Sequence, residues 1–305
     1  MAESAFLPNG LQYAWDSTSL GALKKCPRYY QYAILEGWQP AIPSTHLTFG
    51  QLYHKALENY DQRIAAGQDK HAALREVLRE QLIASKDMPT LKTKSRHTLF
   101  RTTLWYIDRW ANDNLQTVML QSGKPAVELS FQYHSDVQVG DYGHYVFCGH
   151  FDKLVRFSGD IYVQDKKTTG QTLGSWYFEE FSPNNQMSFY PYFASKIYDL
   201  PVRGVLIDAA QVGVTFSEYG REVAYRTRGQ LDEWYQDTLR VLRQNVTYHS
   251  EGHWPINDTA CRMCSFKAIC KLDPSVRQTF LQANYVKKPW NPLQTRTESE
   301  PLADE

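Results

Sequence analysis

Asp165 and Lys167 stand two residues apart in Gln164-Asp165-Lys166-Lys167-Thr168, and Asp152 ends the upstream run Gly149-His150-Phe151-Asp152. Side chains alternate along a strand, so Asp165 and Lys167 project from one face. With Asp152 on a partner strand across a turn, two carboxylates and an amine can meet at one point. Hard divalent cations such as Mg²⁺ choose oxygen ligands and keep several waters. Two aspartate side chains and one backbone carbonyl, that of Lys166, would hold such an ion and leave room for a phosphate. A nearby ammonium would orient or help deprotonate the attacking water, while the metal stabilises charge developing on the scissile phosphate. The chemistry implied is phosphodiester hydrolysis. A surface strand with paired charges is the alternative that a lone D-x-K leaves open.

Helical spacing puts Gln186 and Tyr190 one turn apart on a single face, shortly after the Thr168-Thr169-Gly170 exit of the strand. His54 arrives from an earlier helical stretch, where it reads either as a satisfied core residue or as a ligand. Glu128 precedes the hairpin in a strand whose Val127, Leu129, Phe131 and Tyr133 take the opposite face. It can approach the acidic pair or face water.

The cysteines form a second constellation. Cys261, Cys264 and Cys270 are spaced C-x2-C-x5-C, and Cys26 lies far upstream. A four-thiolate site would tie the two ends of the chain together. Zinc and an iron-sulfur cluster both accept four thiolates, and spacing does not choose between them; coincidental buried thiols are the weakest reading. Cys148, between Phe147 and Gly149, reads as a buried strand residue.

The elements that must position these groups follow from periodicity. Ser17 or Thr18 can cap a helix carrying Leu20, Leu23 and Cys26. A second helix is expected from about Ser44 to Ala66, with Leu47, Gly50, His54 and Leu57 at helical spacing and His54 on the buried stripe. Residues 70–84 and 97–114 also read as helices. Strands follow at 127–133, 144–157 and 160–167, the last two joined by Ser158-Gly159 as an antiparallel hairpin. Ser182-Pro183 opens a helix, 203–213 and 221–227 read as strands, and 229–247 as a last helix. The fold class expected is α/β, a mixed central β-sheet flanked by helices and preceded by an N-terminal helical segment, without internal repeats.

Composition sets the outer bounds. The 305 residues carry 42% hydrophobic and 22% charged residues, ordinary globular usage. No apolar run approaches the roughly eighteen residues of a membrane span. The 33 basic and 33 acidic residues cancel, so nucleic-acid binding would depend on local patches. Two such patches are the stretch from Lys92 to Arg101 and the group Lys24, Lys25 and Arg28; each could hold phosphates or form a solvated face. Tyr29, Tyr30, Tyr53 and Trp176 could stack on unpaired bases or lie in the core. The N-terminus reads as lacking a signal peptide, so a cytoplasmic location is expected.

In order along the chain, S-T-S-L-x5-C-P-R-Y-Y at 17–30, G-x3-H at Gly50 and His54, G-H-F-D ending at Asp152, D-K-K-T-T-G from Asp165, Q-x3-Y at Gln186 and Tyr190, and the three terminal cysteines resemble the PD-(D/E)XK nuclease superfamily. The resemblance spans roughly 17–270 and is to the iron-sulfur branch that includes RecB-like, AddB-like and CRISPR-associated adaptation exonucleases. It implies a restriction-endonuclease-like core. It implies that His54, Asp152 and Asp165 bind Mg²⁺ or Mn²⁺, that Lys167 is catalytic, and that Gln186 and Tyr190 support the site and contact DNA. It further implies that Cys26, Cys261, Cys264 and Cys270 hold a [4Fe–4S] cluster, favouring iron-sulfur over Zn²⁺. Pro191 directly follows Tyr190, so a kink that displaces the tyrosine is expected there.

The organisation expected is an N-terminal arm over 1–16, a single nuclease domain over 17–286 with a helical insertion at about 68–124, and a mobile tail over 287–305. The expected activity is metal-dependent exonucleolytic hydrolysis of DNA, single-stranded or at frayed ends, in a bacterial, archaeal or phage-infected cell. The competing readings are a non-catalytic DNA-binding or adaptor module of a recombination or CRISPR adaptation complex, and a redox or iron-sensing protein.

Overall fold

A computed structural model of the chain describes residues 4–139, 143–294, 297–298 and 301–302. The principal helices in chain order are α1 (Ser17–Lys25), α2 (Thr45–Ala65), α3 (Lys70–Ala84), α4 (Arg96–Arg109), α5 (Ser175–Glu179), α6 (Asn185–Tyr198), α7 (Arg228–Glu251) and α8 (Pro274–Asn284). The principal strands are β1 (Val127–Gln138), β2 (His144–Phe157), β3 (Asp160–Thr169), β4 (Val202–Val212) and β5 (Ser217–Tyr225).

These strands form one sheet in the order β1-β2-β3-β4-β5, extended beyond β1 by Thr297–Glu298. β2 and β3 pair antiparallel, β3 and β4 parallel, and β4 and β5 antiparallel, which is the mixed sheet the sequence predicts. The β2–β3 hairpin closes through Ser158 at φ 51° and Gly159 at φ 86°. Positive φ at both central residues matches the right-handed twist of paired strands. Its register pairs Lys153 with Gln164, so Asp152 and Asp165, each one step on, are neighbours across the ladder.

By internal contacts the chain forms two compact units. One comprises Met1–Ile42, Phe131–Gly149 and Arg228–Thr295; the other comprises Pro43–Ser130, His150–Thr227 and Arg296–Glu305. Residues 17–286, expected as one domain, contribute to both. The second unit holds α2 to α6, β3 to β5 and every expected residue of the hydrolytic site.

In that unit Phe49, Tyr53 and Leu57 of α2 pack with Leu99, Tyr106 and Ile107 of α4 and Ala210 and Val212 of β4. Full burial of side chains of this size is worth about 1.5–3 kcal/mol each, which fixes the face α2 presents. The buried stripe is therefore Phe49, Tyr53, Ala56 and Leu57, not the one containing Leu47. Leu47 is 62% exposed, and Gly50 and His54 line a cleft beside the stripe.

Caps explain most helix limits. α1 is capped by Asp16, whose carboxylate accepts from Ser19 N at 2.9 Å, rather than by the expected Ser17 or Thr18. Asp69 accepts from Ala72 N at the start of α3, and Ser95 and Thr98 form a reciprocal capping box on α4. α4 ends at Arg109, short of the expected 114, where Asp113 turns back to accept from Leu115 N at 3.2 Å. Such local side-chain bonding competes with helix continuation. Asn184, not Ser182, caps α6 by accepting from Gln186 N at 2.9 Å.

In the first unit, Ala14 and Trp15 of the expected arm pair parallel with Val146 and Phe147 of β2. Within the expected tail, Lys287 pairs with Trp38, Trp290 Nε1 donates to the Asp16 carboxylate at 3.3 Å and Leu293 packs with Ala5, Ala14 and Cys148. Further along, Thr297 pairs with Leu129 and Leu302 bridges to Leu120. Residues 295, 296, 299, 300 and 303–305 lie outside the described residues. No described helix is long and apolar enough to cross a membrane.

Candidate active site

α2, β1, β2 and β3 line an open cleft of about 730 Å³. Its lining includes His54, Glu128, Asp152, Lys166 and Lys167. Strand alternation puts Asp165 and Lys167 on one side of β3, and their side chains meet: Lys167 Nζ is 2.7 Å from Asp165 Oδ2. The same ammonium donates to Gln186 Oε1 at 2.9 Å, and Gln186 Nε2 donates to Tyr190 Oη at 2.9 Å. Tyr190 thus keeps its place one turn from Gln186 although Pro191 lies inside α6, and the expected displacement does not occur.

Asp152 sits beside this chain of contacts. Its Oδ2 accepts from Lys166 N at 3.2 Å and lies 3.3 Å from His54 Nδ1. Burial works to raise the Asp152 carboxyl, but His54, with Lys166 and Lys167, holds it well below the usual carboxylate range. Asp165, 2% exposed, goes the other way: burial raises it, the Asp152 charge adds to the rise, and Lys167 only partly opposes it. Burial alone would lower His54, yet Asp152 and Asp165 together raise it above an ordinary histidine. Two adjacent carboxyls with opposed shifts are a common mark of a working site.

The donor chemistry of Asp152, Asp165 and the Lys166 carbonyl fits a hard divalent cation. Asp165 Oδ2 is buried, and the Lys167 ammonium at 2.7 Å is its close polar neighbour. That leaves a lone pair for a cation. The spacing is that of a neutralised pair, with His54 against Asp152 and Lys167 against Asp165. Among the described residues no three His, Cys, Asp or Glu side chains stand at metal-ligand spacing.

Glu128 lines the cleft and is buried, with its backbone at φ 53°. A non-glycine residue in that region is strained, and such strain clusters at functional sites. Two residues went unread in the sequence. Asp61 accepts from Lys153 Nζ at 3.1 Å and from Lys166 Nζ at 2.9 Å, and Glu58 lines the cleft. Glu58 and Asp61 follow His54 on α2 at i+4 and i+7, a spacing that could have flagged them.

The four expected cluster cysteines all lie in the first unit. Cys26 is buried and its Sγ accepts from Asn257 N at 3.3 Å, while the Cys261 thiol points to Asn257 O at 3.8 Å. Burial raises the Cys270 thiol, and the neighbouring Cys264 and Cys26 add to the rise. Cys26 and Cys264 are thus close enough for Cys270 to feel their charge, while among the described residues no three thiols stand at metal-ligand spacing.

The expected phosphate-holding groups are largely committed elsewhere. Lys94 is buried 4.2 Å above the Phe49 ring, and Arg101 donates to the carbonyls of Gly213, Val214 and Phe216. Lys24 donates to Thr238 and Arg28 to the Trp254 carbonyl. Tyr30 and Tyr53 are core residues and Tyr29 packs edge-on against Phe266. Trp176 on α5 is 65% exposed. The neighbouring Tyr177 is close enough to Asp165 to have its phenol raised further by that charge, beyond burial and Glu180.

The chain belongs to the PD-(D/E)XK nuclease superfamily, whose family model matches residues 15–271. That membership supports nuclease activity, and nucleases of the superfamily generally use divalent metals. Among solved structures, the chain is similar to a protein from Eubacterium rectale called "Putative exonuclease", at 13% identity, covering 92% of this chain and 91% of that one with a TM-score of 0.48. It is also similar to SSO0001, at 14% identity, covering 85% and 86% with a TM-score of 0.33. At these scores the assignment rests on the family model. A search of curated proteins finds no match.

Proposed function

We infer that the protein is a Mg²⁺- or Mn²⁺-dependent DNA exonuclease acting on single-stranded DNA or frayed ends. The observation that carries this reading is the run of contacts from Asp165 through Lys167 and Gln186 to Tyr190, of which Lys167 reaches an open cleft that Asp152 and His54 also line. His54, Asp152, Asp165 and the Lys166 carbonyl would hold the ion, which when bound supplies charge neutralisation and a more acidic water.

The remaining work belongs to the protein's own groups. Lys167 is held between Asp165 and Gln186, so its ammonium keeps one direction without reorganising and can donate to the attacking water or the scissile phosphate. Tyr190 fixes the amide of Gln186, so that Oε1 faces the ammonium. The exposed Trp176 indole, on the short helix α5, offers a stacking face to an unpaired base and supports the single-strand preference. A [4Fe–4S] cluster on Cys26, Cys261, Cys264 and Cys270 would link the expected N- and C-terminal regions, with Zn²⁺ as the alternative metal.

The test is degradation of labelled single-stranded and duplex DNA with Mn²⁺, with chelator, and by an Asp165→Asn variant. The reading requires shortening of the single strand that depends on the metal and disappears in the variant. Shortening that survives both would overturn it.

A further inference from the structure

α2 turns one face to the active cleft, which Leu47, Gly50, Gln51, His54 and Glu58 line at helical spacing. That face divides in two. His54 meets Asp152 at 3.3 Å, and one turn on Lys55 and Glu58 pair with each other at 2.6 Å. The first turns, from Thr45 to Gln51, carry no carboxylate, ammonium or guanidinium, and the Thr168 hydroxyl stands opposite Gly50.

Gly50 sits where the two halves meet, and nothing in the fold asks for glycine there. Its backbone is helical, without the positive φ that other residues avoid. Apart from its neighbours along the helix, a Cβ built on it would meet only Thr168 Oγ1 among the described residues, at 3.6 Å, an ordinary contact. Alanine would fit, and it would make a better helix, since glycine is the poorest helix former after proline. What the glycine keeps is space, because a side chain there would project into the cleft one turn from His54. Leu47, three residues before it, is an exposed apolar side chain held at the same cleft.

The geometry points to Gly50 as the seat of the deoxyribose next to the cleaved phosphate, with Leu47 packed on that nucleotide's base. The phosphate belongs with Lys167 and the acidic pair. Sugar and base are the uncharged parts of a nucleotide, and they match a stretch that offers a hydroxyl, an apolar side chain and open space. Leu47 and His54 stand two helical turns apart, about 10 Å at a rise of 1.5 Å per residue, which is the reach of one nucleotide from its phosphate to the far edge of its base. Leucine is among the apolar side chains that proteins set against an unstacked base. The assignment rests on the nuclease reading, which supplies the strand and places its phosphate.

The test compares the full chain with Gly50→Ala, Gly50→Leu and Leu47→Ala. Fluorescence anisotropy reads the binding of a short all-thymidine strand and of the same strand built from abasic sugars, in chelator so that nothing is cut. Thermal unfolding is followed beside it. Gly50→Ala is expected to raise the unfolding temperature by about 1–3 °C and yet weaken binding of both strands roughly tenfold, with Gly50→Leu weaker still. Leu47→Ala is expected to weaken the thymidine strand only, since the abasic one has no base to lose. A purely structural glycine cannot give opposite signs for stability and affinity, because its replacement destabilises the fold.

Unchanged affinity in both Gly50 variants overturns the seat, as does a Gly50→Ala chain that unfolds at lower temperature or a wild-type chain that binds neither strand. A loss in Leu47→Ala that persists on the abasic strand overturns the placement of the base. Cleavage in Mn²⁺ with the same KM in wild type and Gly50→Ala keeps the nuclease reading and loses the seat. The expected variant effects on binding, in a chain that cuts nothing in Mn²⁺, keep the nucleotide seat and lose the nuclease reading.

Discussion

Lys167 Nζ lies 2.7 Å from Asp165 Oδ2, two residues away on the same strand. Strand alternation brings the two side chains to one face, but it does not aim the ammonium. Gln186 does, accepting from Nζ at 2.9 Å.

Replacing Gln186 with Leu should therefore lower kcat on single-stranded DNA roughly ten- to a hundredfold, the cost of a misplaced reacting group. KM should change little, because Gln186 orients Lys167 rather than carrying the strand. Steady-state kinetics separates the two, and a KM effect alone would assign Gln186 to binding.

Asp61 holds two buried ammonium groups, those of Lys153 and Lys166. Asp61→Ala removes the carboxylate bonded to both, leaving Lys166 only the charges of Asp152 and Asp208, and breaking a buried pair in this way costs about 3–5 kcal/mol. Urea unfolding of the variant measures it, and a loss below about 1 kcal/mol would show that water reaches the lysines.

The same carboxylate gives the fold an acid limb. Burial would raise Asp61, but Lys166 and Lys153 hold it at about 2 against an ordinary 3.8. A folded-state value below the unfolded one stabilises the fold above the unfolded value and loses that contribution as pH falls through the folded one. About 2 kcal/mol should disappear between roughly pH 4 and pH 2. The limb should be smaller in Asp61→Ala, as thermal unfolding across that range would report.

Cys264→Ser tests the proposed cluster. Anaerobically purified protein should be brown and contain iron, and the variant should lose colour, iron and solubility together. Colourless wild-type protein containing zinc would assign the thiols to that metal instead.

Local chemistry made much of this legible. α2 runs from Thr45 to Ala65 against an expected Ser44 to Ala66, because periodicity and its ends are written in neighbouring residues. The Ser158-Gly159 hairpin is equally local, and it sets Asp152 beside Asp165. Asp61 escaped notice because its partners Lys153 and Lys166 stand 92 and 105 residues away and meet it only after β2 and β3 have paired. Asp208 escaped for the same reason, gathering Tyr106, Gln164 and Arg221 from three separate elements. Leu47 misled the assignment of the buried stripe because an apolar residue at the cleft is spaced like one in the core.

The most direct measurement of the central claim is degradation of end-labelled single-stranded DNA in Mn²⁺ by the wild-type chain, Asp165→Ala and Lys167→Ala, each checked for an intact fold. The account requires wild-type cleavage and losses on the order of a hundredfold or more in both variants. Undiminished cleavage by two folded variants would contradict it.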